Sequence, residues 1–151
     1  MAKIKYNLRW WRILLTAFLY AIIAQVIHSI SALLSMSFYT DEKHFALWSN
    51  IMMPGQGSPG VEFYLVSFVF ALIVGFIFSL IYALFRESLP GKSTAIKGLF
   101  YGLILFALGQ IPAFFMTYLI LAVPTLLLVI WAVEGLIILL VTGMVIAALN
   151  K

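Results

Sequence analysis

The sequence predicts an all-α membrane protein in which residues 1–151 form a single domain of four transmembrane helices. Of the 151 residues, 65% are hydrophobic and only 9% are charged, whereas soluble proteins carry about 25% charged residues. A bilayer-spanning helix needs about 20 predominantly apolar residues, and the chain contains four such runs. They are Ile13–Tyr39, Phe63–Phe85, Ile96–Val123 and Pro124–Leu149.

The first span carries a polar stripe along one face. Its members repeat at spacings of four and three residues, so they align on one side of a helix, and they are flanked by Leu, Ile and Val. The stripe consists of Ala21, Gln25, His28, Ala32 and Ser35. Because polar side chains within a membrane rarely face lipid, we expect this stripe to face protein or water.

Residues 40–62 form the longest segment between spans, and we expect them to lie on the outer side. Within residues 54–60 there are two prolines and three glycines, which cannot continue a helix. We expect Trp48, Met52 and Met53 to pack back against the end of the bundle. The segment is a candidate cap or partner surface, although a simple connector is an equally good interpretation.

Small residues recur at helical spacing in the second, third and fourth spans. Membrane helices approach each other closely where small residues face one another. We therefore expect these residues to pack the bundle, or an oligomer of it, without contributing chemistry. The glycines in these rows are Gly75, Gly98, Gly102, Gly109 and Gly143.

The basic residues predict the orientation. Eight of the nine Lys and Arg side chains fall at the N-terminus, between the second and third spans, or at the C-terminus. With four spans, these three segments lie on one side, which the positive-inside rule makes cytoplasmic. We therefore expect an integral protein of the plasma or inner membrane with both termini in the cytoplasm.

Glu134 is the strongest functional clue, because it is the only charged residue between Pro124 and Leu149. A charge at the bilayer centre costs at least about 2.5–3.5 kcal/mol. At about 1.5 Å per residue, Glu134, His28 and Gln110 fall within about one helical turn of the same depth. The sequence thus predicts a polar cluster of Gln25, His28, Gln110 and Glu134. It is either a structural hydrogen-bond network or a proton- or cation-handling site.

Several classes of site are excluded or disfavoured. The chain has no cysteine, which removes disulfides, iron–sulfur clusters and thiolate zinc sites. Bis-histidine haem ligation is disfavoured because the second histidine, His44, belongs to the outer segment. We predict no metal, no cofactor and no nucleic-acid partner, since the basic residues form no patch interleaved with exposed aromatic side chains.

Three functions are compatible with these features. The first is a non-catalytic integral membrane subunit or accessory protein that packs against other transmembrane helices, from its own copies or from a larger complex. The second is a small proton- or cation-coupled carrier that uses Glu134 with His28. The third is a quinone- or haem-associated membrane protein. The sequence shows no nucleophile–base pair, which favours a non-enzymatic role with membrane lipids and other transmembrane helices as partners.

Overall fold

The computed structural model describes residues 9–54 and 57–150, and no β-strand occurs among them. The prediction of an all-α fold is confirmed, and four helical segments are long and apolar enough to cross a membrane. The elements are α1 (Trp10–Leu34), α2 (Met36–Tyr39), a 3-10 helix (Glu42–Leu47), α3 (Val61–Phe85), α4 (Thr94–Leu105), a π-helical turn (Phe106–Gln110), α5 (Ile111–Ile120) and α6 (Thr125–Leu149).

The spans begin and end close to where hydropathy places them, with two internal breaks. The first predicted span is interrupted at Ser35, which separates α1 from α2 and whose hydroxyl donates to the Ser31 carbonyl at 2.7 Å. The third span, Thr94–Ile120, comprises α4, the π-helical turn and α5. It begins after Ser93, whose hydroxyl oxygen accepts from the Ile96 N–H at 3.3 Å and caps α4.

The helices pack in the order α3, α1, α6, α4. The α1–α3 contact is close at Gly75, where an added Cβ would lie 2.9 Å from the Ala17 carbonyl oxygen. The α4–α6 contact is equally close at Gly98 and Gly102, which face the backbone around Gly143 and Leu139. Four of the five glycines in the small-residue rows therefore lie where a neighbouring backbone excludes any side chain.

Gly109 is different, because a Cβ added there would meet no atom within 4 Å. The π-helical turn is the physical reason. The Ile111 N–H donates to the Phe106 carbonyl, five residues earlier, and the extra residue rotates the following helix by about 100° relative to an unbroken α-helix. Gly109 thus turns away from α6, and Gln110 takes its place against Gly135.

The bundle is tight at one end and open at the other. At the basic end, which carries Arg86, Lys92 and Lys97, the Tyr101 hydroxyl donates to the Phe78 carbonyl at 2.6 Å and joins α4 to α3. The buried residues of α3 and α4 all lie toward this end. Toward the other end, α5 has no buried residue. The α3 helix makes little or no close backbone contact with either α4 or α5, so the hydrogen bond of Tyr101 links α4 to α3 at the basic end.

The segment between α2 and α3 covers the far end of α1 and α6. Trp48 and Met52 pack on a buried cluster that includes Tyr39, Val123 and Leu127. The Trp48 ring lies 5.1 Å from that of Tyr39, centroid to centroid. This segment therefore caps the bundle, and the contacts of Trp48 and Met52 agree with those expected from the sequence.

Candidate intramembrane polar site

Glu134 lies in the tenth position of α6, a helix of 25 residues that contains no other charged side chain. Its side chain is only 7% exposed. The α6 helix has buried residues along its whole length because it packs against both α1 and α4. The fold therefore holds Glu134 inside the protein, near the middle of a helix that is long and apolar enough to cross a membrane.

His28 supplies the partner of Glu134. Its Nδ1 contacts the Glu134 Oε1 across the α1–α6 interface, and the two residues are 106 positions apart in the chain. A proton between these atoms belongs to the imidazole, which then donates to the carboxylate, or to the carboxyl group, which then donates to Nδ1. Either arrangement satisfies Glu134, so the pair is the core of the site.

The His28 side chain is 61% exposed, although it lies on the stripe of α1 that packs inward. Of the other residues on that stripe, Ala21 and Ser35 are buried and Gln25 and Ala32 are partly buried. The fold therefore leaves His28 itself open, although other residues on its stripe are covered. Across the part of the chain that the structure describes, Nε2 of His28 makes no hydrogen bond.

The two glutamines occupy different positions relative to this pair. The Gln110 side chain lies against Gly135, the residue that follows Glu134, with its Cδ 3.4 Å from the Cβ position there. Gln25 lies one helical turn from His28 on α1 and is partly buried. Within the described ranges, neither amide makes a hydrogen bond. The structure thus joins His28 to Glu134 and places Gln110 beside them.

A second polar contact lies one turn from Glu134 and was not predicted. The Trp131 indole N–H donates to the Tyr39 hydroxyl at 2.8 Å, which connects α6 to α2 under the Trp48 ring. Trp131 precedes Glu134 by three residues, so both side chains point to the same side of α6. That spacing is the only sequence signal that could have linked Trp131 to the site.

The chemistry available to this pair is hydrogen bonding and proton transfer. Across residues 9–54 and 57–150, no group of three His, Asp or Glu side chains could hold a metal ion. The His28–Glu134 pair offers one carboxylate and one imidazole, which can share and exchange a proton. The unbonded imidazole nitrogen can also donate to, or accept from, a group outside the chain.

No protein-family model, curated protein or solved structure matches this chain. The function is therefore inferred from the geometry of the bundle and of the His28–Glu134 pair.

Proposed function

We propose that this protein is a non-catalytic integral membrane subunit that packs against transmembrane helices of another chain. The surface that makes this contact is the half of the bundle that carries His28 and α5, which we call the open half. The other chain is a second copy or a member of a larger membrane complex. In this proposal, both termini lie in the cytoplasm, as the distribution of basic residues indicates. The protein resides in the plasma or inner membrane, and membrane lipids surround the remaining faces.

The exposed imidazole of His28 is the observation that carries this proposal. It lies within a membrane-spanning segment and is 61% exposed. Ionisable side chains at this depth almost always face the interior of a bundle or a water-filled cavity. A helix from another chain, placed against His28, would bury the ring and supply a partner for Nε2.

The shape of the open half supports the same conclusion. The α5 helix has no buried residue, and large apolar side chains such as Phe115 and Leu119 are exposed on it. Lipid covers such residues well, so their exposure alone does not require a partner. The combination with an exposed imidazole on α1 is what favours a protein neighbour over lipid.

The assembly state of the full chain tests this proposal. We would purify wild type, His28→Trp and Leu33→Trp in a mild detergent and measure mass and composition by light scattering and mass spectrometry. Leu33 is a matched control, because it lies on the same helix and its side chain is likewise exposed. We expect an assembly larger than one chain that His28→Trp disrupts and Leu33→Trp preserves. A wild type that is a single chain in detergent and in nanodiscs would overturn the proposal.

The second candidate function is a small proton- or cation-coupled carrier, and the contact between His28 and Glu134 favours it. A carboxyl–imidazole pair at membrane depth is a common means of moving protons. Because His28 is exposed on the open half, protons would have a path between the His28–Glu134 pair and one side of the membrane. Proton flux in vesicles, measured as described in the Discussion, separates this candidate from a purely structural role.

A further inference from the structure

A second site lies at the basic end of the bundle and is independent of the His28–Glu134 pair. A cavity of about 350 Å³ opens between the end of α3, the start of α4 and the end of α6. Three cationic side chains line it: Arg86 from the end of α3, Lys92 from the connecting segment and Lys97 from the first turn of α4. This convergence brings together three of the nine basic residues of the chain.

The charge of the cavity is strongly unbalanced. Glu87 is the only acidic residue among its lining side chains. Its carboxylate lies 3.3 Å from the Arg86 Nε, and its side chain is 83% exposed. An exposed ion pair of this kind contributes little, so the Glu87 carboxylate does not neutralise the cavity. Two cationic groups remain without a carboxylate among the described residues.

Arg86 and Lys97 also donate to backbone carbonyls, in addition to the ion pair between Arg86 and Glu87. The Arg86 Nη1 donates to the Asn150 carbonyl at 2.9 Å, and the Lys97 Nζ donates to the Arg86 carbonyl at 3.0 Å. A guanidinium has five N–H donors and an ammonium has three. The Arg86 guanidinium and the Lys97 ammonium therefore use only some of their N–H donors within the protein, and the remaining donors are available to a ligand. A carbonyl partner is neutral, so the positive charge of Lys97 is not compensated by a carboxylate among the described residues, whereas Arg86 is paired with the exposed Glu87.

Hydroxyl groups add to this set of donors. The Ser93 oxygen accepts from the Ile96 N–H, so its own O–H is available to donate, and Thr94 also lines the cavity. Gly91 shapes the turn that presents Lys92 and Ser93. Its φ of +120° lies in the region that favours glycine, and a Cβ there would lie 2.5 Å from the Ile96 Cγ2.

We propose that this cavity binds a phosphate group. Several cations and hydroxyl donors around one space suit a compact anion with several acceptor oxygens. The cavity also lies at the ends of three helices, which is the level of lipid headgroups. Basic pockets between transmembrane helices at this level bind anionic headgroups. The ligand is the phosphate of an anionic lipid or a free phosphate, and these share the chemistry that the site recognises.

The test uses thermal unfolding of the full chain in detergent. The probes are phosphatidylglycerol, phosphatidylcholine with the same acyl chains, and inorganic phosphate compared with chloride at equal ionic strength. The variants are Lys92→Gln, which removes an exposed side chain that makes no bond within the described residues, and Lys43→Gln. Lys43 is the matched control, because it lies in the 3-10 helix of the opposite loop and its substitution changes the net charge equally.

We expect phosphatidylglycerol, but not phosphatidylcholine, to raise the Tm of wild type and Lys43→Gln. For Lys92→Gln, half-maximal stabilisation should require about fivefold more ligand. Stabilisation by inorganic phosphate as well would identify a free phosphate as sufficient, whereas a lipid-only effect would identify the headgroup. The proposal would be overturned if neither phosphate source raised the Tm, or if Lys43→Gln and Lys92→Gln weakened the response equally.

Discussion

Gly98 and Gly143 face each other so closely that neither can carry a side chain. A Cβ on Gly98 would lie 2.7 Å from the Gly143 carbonyl oxygen, and a Cβ on Gly143 would clash with the Gly98 carbonyl. The α4–α6 interface is thus a backbone-to-backbone contact, in which dispersion and close approach replace the hydrophobic effect that is absent between helices in lipid.

The first prediction concerns this kind of contact. Gly102→Leu and Gly75→Leu should each destabilise the bundle by about 1–3 kcal/mol, because the new side chain must push two helices apart. Thermal unfolding in detergent measures the loss. Gly109→Leu is the control, since space around Gly109 is open, and its stability should match that of wild type. Equal stability of all three variants would mean that these helices do not pack as described.

A second prediction concerns the closure of the bundle at its basic end. Tyr101→Phe removes the hydroxyl that donates to the Phe78 carbonyl and should cost about 0.5–1.5 kcal/mol. Tyr118→Phe removes a hydroxyl from a side chain that is 59% exposed, and it should leave the unfolding temperature unchanged. An equal effect of both substitutions would show that the α3–α4 hydrogen bond does not contribute to stability.

The third prediction separates the two roles considered for Glu134. If the site is structural, Glu134→Gln should preserve stability, because the amide can still form a hydrogen bond with His28. Glu134→Leu would then be the harmful substitution, at about 1–3 kcal/mol, since it leaves His28 without its partner. If the site carries protons or cations, Glu134→Gln should abolish flux while the fold survives, because an amide cannot titrate.

Reconstituted vesicles containing a pH-sensitive dye would report proton flux, with cation flux measured in parallel and thermal unfolding of each variant as the control for folding. Absence of flux in wild type, or equal flux in wild type and Glu134→Gln, would eliminate the carrier function. The membrane-subunit proposal does not depend on this result, because it is tested by assembly state.

The fourth prediction concerns orientation. The chain has no cysteine, so a single introduced cysteine gives an unambiguous label. A cysteine at Lys92 should react with a membrane-impermeant maleimide only from the cytoplasmic side, and one at Gly57 only from outside. Both should react after permeabilisation. Labelling of Lys92 from outside intact cells would reverse the proposed orientation.

Much of the fold could be predicted from hydropathy and the spacing of small residues. Runs of apolar residues identify the spans because the bilayer demands continuous apolar length. The glycines at 75, 98, 102 and 143 could be assigned to contacts for a similar reason, since only small residues let backbones meet. The depth estimate also places His28 and Glu134 at the same level along their helices. Whether the two side chains touch depends on the rotation of α1 and α6 about their own axes.

The remaining features depend on tertiary geometry that composition does not report. Residues 106–110 themselves carry no signal for a π-helical turn. Pro112, which has no N–H to donate to the Leu108 carbonyl, indicates a break in this part of the span but not its π-helical form. The exposure of His28 likewise depends on how the other helices pack around α1, which the spacing of residues within α1 does not indicate. Convergence of Arg86 and Lys97 on one cavity also required the three-dimensional arrangement of three helix ends.

The π-helical turn at Phe106–Gln110 makes the third span the equivalent of an α-helix with one inserted residue. The helix after the turn is therefore rotated relative to the helix before it. As a result, the face of α5 turned toward the bundle is not a continuation of the α4 face that packs on α6. A deletion of one residue within this turn would restore a continuous α-helical register and bring the row beginning at Gly109 toward α6. The span could then close onto the bundle, and the opening beside His28 would narrow. A single inserted residue thus changes which face of α5 is turned toward the bundle.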